Sequence, residues 1–166
     1  MKIAGVDPKS LMNEIILVLP RGETQIVFRA RGLKDMDEFI ALCPQPKAPG
    51  KLTKDGFVPH TNDPTYQQVM VQWGKKRLGY LAVKSLEPSE IEWETVKVSD
   101  PSTWENWERE LLDSGLSRFE VNRVFTLVME ANTLDDDKLE KARAVFLAGQ
   151  EVASKRSGLL TEPANT

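Results

Sequence analysis

Hydrophobic and polar positions change period several times along this chain, and each change predicts an element. Residues 14–19 carry Ile15, Ile16, Leu17, Val18 and Leu19. Residues 24–29 alternate Ile26 and Phe28 with Gln25, Val27 and Arg29, and Pro20, Arg21, Gly22 and Glu23 lie between the two runs. Two β-branched runs around a turn predict a β-hairpin, half-buried in its second strand. A two-stranded ribbon alone is marginal in water, so it must lean on a helix or another strand. After Gly32, Asp35 stands three residues before Glu38, and Met36, Phe39, Ile40 and Cys43 recur at helical spacing, predicting a short helix that ends at Pro44. Pro44, Pro46, Pro49 and Gly50 then open an extended connection, expected to stay irregular through Gly56 and Pro59 to about Asn62. Connections of that length are usually functional or mobile.

Asp63 followed by Pro64 predicts a helix start, because the carboxylate can accept from free amides while Pro at the first position loses no hydrogen bond. Tyr66, Val69, Met70, Trp73 and Tyr80 fall roughly on one face, although Gly74 and Gly79 weaken an unbroken helix. Beyond Pro88, residues 91–98 alternate Ile91, Trp93, Val96 and Val98 with polar positions, which predicts the clearest strand of the chain and a partner for the hairpin. Three helices are expected from 100 to about 157. The first starts at Asp100-Pro101 and carries Trp104, Trp107, Leu111 and Leu112 as far as Ser114-Gly115. The second opens with Ser117 and Glu120 at capping-box spacing, with Leu116 and Val121 placed as a hydrophobic staple. Its Val121, Val124, Phe125, Val128 and Ala131 share a face that Leu127 and Met129 widen, predicting the most buried helix. The third begins near Asp135, where three aspartates oppose the positive end of the helix dipole, and carries Leu139, Ala142, Phe146 and Ala153 until it frays near Gly158.

The expected fold is therefore α+β. A small antiparallel sheet, the hairpin plus a strand at 91–98, is packed by a mainly helical C-terminal half. Along the chain this reads as hairpin and short helix at 1–43, Pro-rich connection at 44–62, helical region at 63–157 and a disordered tail at 158–166, all within one compact domain. There is no internal repeat or low-complexity tract.

Composition narrows the function more than the fold. At 166 residues with 40% hydrophobic and 28% charged residues, the chain can bury a core without covalent staples, and no apolar run approaches a membrane span. No signal-peptide pattern opens it, so a cytoplasmic location is expected. The single cysteine, Cys43, builds no disulfide framework. A net charge of −3 argues against a general nucleic-acid binder. Cys43 and His60 are the sole residues of their types and both flank the Pro-rich connection, but no signature supports a catalytic dyad, and one Cys with one His supplies at most half a zinc site. Asp135, Asp136 and Asp137 lack calcium-loop spacing and read as helix-capping charge, while Glu92 and Glu94 are expected to face water. No glycine-rich phosphate loop is present. The chain is thus expected to have no catalytic, cofactor or metal residues. Lys75, Lys76 and Arg77 form the one basic triplet, either a solvated helix face or a docking patch for an acidic partner. The four tryptophans suit core and binding roles equally.

From Glu90 onward the residues resemble a known family. Glu90-Ile91-Glu92-Trp93-Glu94-Thr95-Val96 and Asp100-Pro101-Ser102-Thr103-Trp104 are similar to tail assembly chaperones of long-tailed bacteriophages. So are Asn122-Arg123-Val124, Val128 to Asn132, Leu134-Asp135, Lys138 to Arg143 and Phe146-Leu147. The likeness is a run of matches beginning near Asp63, without one diagnostic signature. It implies a non-catalytic protein of the infected host's cytoplasm that binds the long helical tape measure protein and helps the tail tube polymerise around it. The tail tube protein and further copies of the chain are possible additional partners, and neither nucleic acid nor membrane is expected. A longer frameshifted form, common in the family, would branch near the polar tail after Gly158. An apolar groove with a polar rim would suit such a client. The candidates by size and spacing are Trp104, Trp107, Leu111, Phe125, Met129 and Phe146, with Lys75, Lys76 and Arg77 as a charged patch. A structural virion protein of the tail or the head-to-tail connection is the alternative.

Overall fold

In the computed structural model, which describes residues 1–10 and 13–159, the predicted hairpin is present as β1 (Glu14–Arg21) and β2 (Thr24–Arg31), paired antiparallel with Leu17 opposite Phe28 and Leu19 opposite Ile26. The turn is two residues, with Gly22 at φ +59° in its first central position, the place where a hairpin's twist favours glycine. Side-chain alternation sends Leu19, Phe28 and Ala30 into the core and leaves Ile16, Val18 and Val27 exposed. β2 does not gain a third strand. The Ser89 hydroxyl donates to the Arg29 carbonyl and accepts from the Arg29 N–H, both at 2.7 Å, so a 3-10 turn at Glu87–Ser89 covers that edge.

The segment 91–98 is not a strand, contrary to its alternating pattern. Its alternation does set burial, with Val96 buried and Glu92 and Glu94 exposed. Its backbone bends at 94–95, and the N–H groups of Glu94, Thr95 and Val96 all donate to the Glu110 carboxylate, at 2.8, 2.7 and 2.9 Å. Successive N–H groups of a strand point to opposite sides, so three converging on one carboxylate exclude a ladder. Burial works against the Glu110 charge, but these bonds and one from the Thr95 hydroxyl prevail and hold the carboxyl below its usual range.

Three other expectations change locally. The Pro-rich connection is not irregular throughout, since it folds β3 (Gly50–Thr53) and β4 (Gly56–Pro59) into an antiparallel hairpin that is exposed at every residue. Asp100-Pro101 does not start a helix either. Asp100 accepts from the N–H and hydroxyl of Ser102 to close a turn, a 3-10 turn follows at Trp104–Asn106, and α3 is Trp107–Asp113. Likewise Asp35 accepts from the Asp37 N–H without forming a capping box, and α1 is Asp37–Leu42.

α2 (Pro64–Ser85) is capped as predicted, with the Tyr66 N–H donating to Asp63, and it is unbroken across both glycines. Gly79 has a positive reason to be there: a Cβ would stand 2.7 Å from the Trp104 carbonyl oxygen. α4 (Arg118–Ala131) has the predicted capping box and buries Val121, Val124, Leu127 and Val128, in one core with Leu116. That core joins the inner face of the hairpin to Ala82, Val83 and Leu86 at the end of α2 and to Trp107 and Leu111 of α3. Phe39, Tyr80 and Trp104 form a second cluster with ring centroids 4.9–5.8 Å apart, and Trp73 packs on Phe39 at 5.4 Å with the ring planes tilted by 54°.

All of this belongs to one unit, Met1–Asn132; a second begins at Thr133 and contains α5 (Asp136–Leu159). The division falls at 132–133, not at the Pro-rich connection, and replaces the single compact domain expected. α5 continues past Gly158, and the rest of the expected tail lies outside the described residues.

Candidate functional site

Of the six proposed groove residues, Trp104, Trp107 and Leu111 are 0%, 4% and 5% exposed. They are core, because each closes α3 or its preceding turn onto the first unit, and the Trp104 indole N–H is already spent on the Val98 carbonyl at 3.0 Å. Met129 and Phe146 are exposed, Met129 on α4 of the first unit and Phe146 in the second unit.

The structure does bring together Trp107, Phe125 and Lys75. They line a shallow cleft with Leu78 and Gly79 of α2, Glu105 of the 3-10 turn and Glu108 of α3. Phe125 is half-buried and stacks on Trp107, with centroids 6.3 Å apart and planes at 25°. The floor is apolar because Gly79 has no side chain and Leu78 and Phe125 flank it. The rim carries one lysine and two glutamates. Its volume of about 310 Å³ suits one or two anchoring side chains and not a whole helix. Lys76 and Arg77 do not line it. Sequence reasoning missed Leu78, Glu105 and Glu108. The available signal was the spacing Lys75, Leu78, Gly79, one helix face on which a glycine marks the close approach of another element.

A second cleft, lined by Arg31, Leu33, Glu38, Tyr80, Lys84 and Glu87 among others, is polar. The Tyr80 hydroxyl donates to Glu38 at 2.8 Å, and the Lys84 ammonium lies 2.8 Å from Glu87 and 3.4 Å from Glu38. Burial and the Glu38 charge push the Tyr80 hydroxyl far above its usual pKa, while the hydrogen bond from Tyr80 and the Lys84 charge lower that of Glu38. These groups satisfy one another and tie α1 to α2.

Cys43 and His60 have structural settings. The Cys43 carbonyl accepts from the Trp73 indole at 3.0 Å, and its side chain packs beside the aromatic cluster. His60 is exposed, with its N–H donating to the Pro49 carbonyl at the base of the β3–β4 hairpin. Among the described residues no group of three His, Cys, Asp or Glu is placed to hold a metal, and no helix is long and apolar enough to cross a membrane. Comparison with protein-family models, with curated proteins and with solved structures returns no match.

Proposed function

We propose that this chain is an assembly chaperone that acts by binding alone, and within that class a tail assembly chaperone of a long-tailed bacteriophage. Its client is the tape measure protein, held in the host cytoplasm while the tail tube forms. The observation that carries the reading is the cleft between α2, α3 and α4. An apolar floor of Leu78, Trp107 and Phe125 inside a rim of Lys75, Glu105 and Glu108 takes an apolar anchor from an amphipathic helix and leaves its charged flank in water. The resemblance of residues 90–150 to the family supports the same role.

The test is co-expression with the tape measure protein of the same genome. The wild-type chain should keep the client soluble and co-purify with it, and Leu78→Arg and Phe125→Arg should each lower capture at least about tenfold while circular dichroism stays unchanged. A client that remains insoluble, or capture indifferent to both substitutions, overturns the reading. A structural virion role has one observation in its favour, the β3–β4 hairpin exposed at every residue as an arm suited to reach a neighbour. Abundant copies in purified virions by mass spectrometry would select that reading instead.

A further inference from the structure

α5 is a 24-residue helix whose side chains from Leu139 to Gly158 are all exposed, Phe146 at 62% and Val145 at 75%. A solitary helix of mixed composition is marginal in water, and most helical stability in proteins comes from packing an apolar face. The face is defined. Leu139, Ala142, Phe146, Gly149 and Ala153 recur at alternating steps of three and four, the seam of a two-stranded coiled coil, and Val145 and Val152 flank it.

Which partner covers that seam follows from its size and charge pattern. In a parallel pair, Phe146 would meet Phe146, Gly149 would face Gly149 across a void, and Asp135, Asp136 and Asp137 would confront their own copies. Reversing one helix so that Phe146 lies over Gly149 brings Ala142 opposite Ala153 and Leu139 opposite Arg156 in the same register. A Cβ built at Gly149 meets nothing within 4 Å, so the ring has room. The same reversal sets the acidic start of α5 against its basic end. Asp136, Lys155 and Arg156 have no ion-pair partner among the described residues, whereas Asp137 and Glu140 pair within the helix with Lys141 and Arg143. Arg156 can then lay its stem on Leu139 and its guanidinium beside Asp136 of the other copy, and the two helix dipoles oppose.

We propose that α5 pairs antiparallel with α5 of a second copy of this chain, the Phe146 ring of each lying over Gly149 of the other. The pairing uses no residue of the cleft and stands whether or not the client reading does. Cysteine cross-linking of the full chain, in a Cys43→Ser background, tests it. Leu139→Cys with Arg156→Cys should give a disulfide-linked dimer on mild oxidation, and Leu139→Cys alone should not. The two positions are about 25 Å apart within one helix, so no intrachain disulfide competes. By sedimentation equilibrium the unmodified chain should dimerise. Asp136→Lys with Asp137→Lys, or Lys155→Glu with Arg156→Glu, should each weaken the dimer about tenfold, and all four together should restore it. A chain that stays monomeric at every concentration overturns the proposal. So does Leu139→Cys alone cross-linking as well as the double variant, the signature of parallel pairing.

Discussion

α4 and α5 follow one another and draw on similar residues, yet one buries a stripe in the core of its unit and the other is exposed from Leu139 to Gly158. Their difference lies in how apolar positions are placed and how the ends are tied. α4 gathers Val121, Val124, Leu127 and Val128 on one stripe. Its first turn is held by Glu120, which accepts from the Ser117 N–H at 2.8 Å and takes a bidentate grip from the Arg21 guanidinium at the tip of the β1–β2 hairpin. Its end is held by Asn132. That side chain accepts from the Leu33 N–H and donates to the Ser85 hydroxyl and the Val128 carbonyl, at 2.9, 2.8 and 2.8 Å. Gly32 lets the chain pass so close to the Ala131 carbonyl that a Cβ there would collide with it. α5 carries an N-terminal cap, the Lys138 N–H donating to Asp135 at 2.9 Å, and its seam alternates large Leu139 and Phe146 with small Ala142, Gly149 and Ala153 while Val145, Phe146 and Leu147 stay exposed. Length does not confer burial; a stripe of uniformly bulky residues and fixed ends do.

The sharpest way to break this comparison is one substitution made in both helices. Val128→Asp places an unpaired carboxylate at a fully buried site and should remove about 4 kcal/mol or more, enough to unfold the first unit in urea melts. Val145→Asp should leave that unit's unfolding midpoint unchanged. Next in size, Asn132→Ala strips the partners from the Leu33 N–H and the buried Ser85 hydroxyl together, and should lower stability by about 2 kcal/mol in the same melts. The smallest effect is pH-dependent. Arg21, then the Ser117 N–H, hold the Glu120 pKa down to about 2. A carboxylate with a lowered folded-state pKa stabilises fully above its unfolded pKa and loses that contribution as pH falls through the folded value. Wild-type stability should therefore decline between about pH 4.5 and pH 2, and Glu120→Gln should flatten that part of the profile by removing the titrating group.

The helices and the first hairpin were legible because period and caps agree: Ser117 with Glu120, Asp63 with Pro64 and Gly22 in the turn each match a local rule. The segment 91–98 misled because alternation reports which side chains are inward, not what satisfies the backbone, and Glu110 lies far along the chain from the amides it caps. The β3–β4 hairpin carries no apolar alternation to signal burial, since nothing covers it. The tryptophans at 104 and 107 were ambiguous between core and interface, and only packing decides that, Trp104 against Gly79 and Phe39 and Trp107 within the main core under Phe125. Of the cleft, Phe125 and Lys75 were visible by size and charge, whereas Leu78 and the two glutamates depend on how α2 meets α3.

The clasp of Glu110 on residues 94–96 also bears on where this chain can change length. Strands in a ladder can slip by two residues and pair again, but a carboxylate rooted on α3 meets one set of amides. Residues 97–109 are therefore of fixed length, and a single insertion or deletion there strands either the amides or the carboxylate. The exposed β3–β4 arm has no such tether. Descendants of this sequence should vary in length in the arm and hold constant the spacing between Val96 and Glu110.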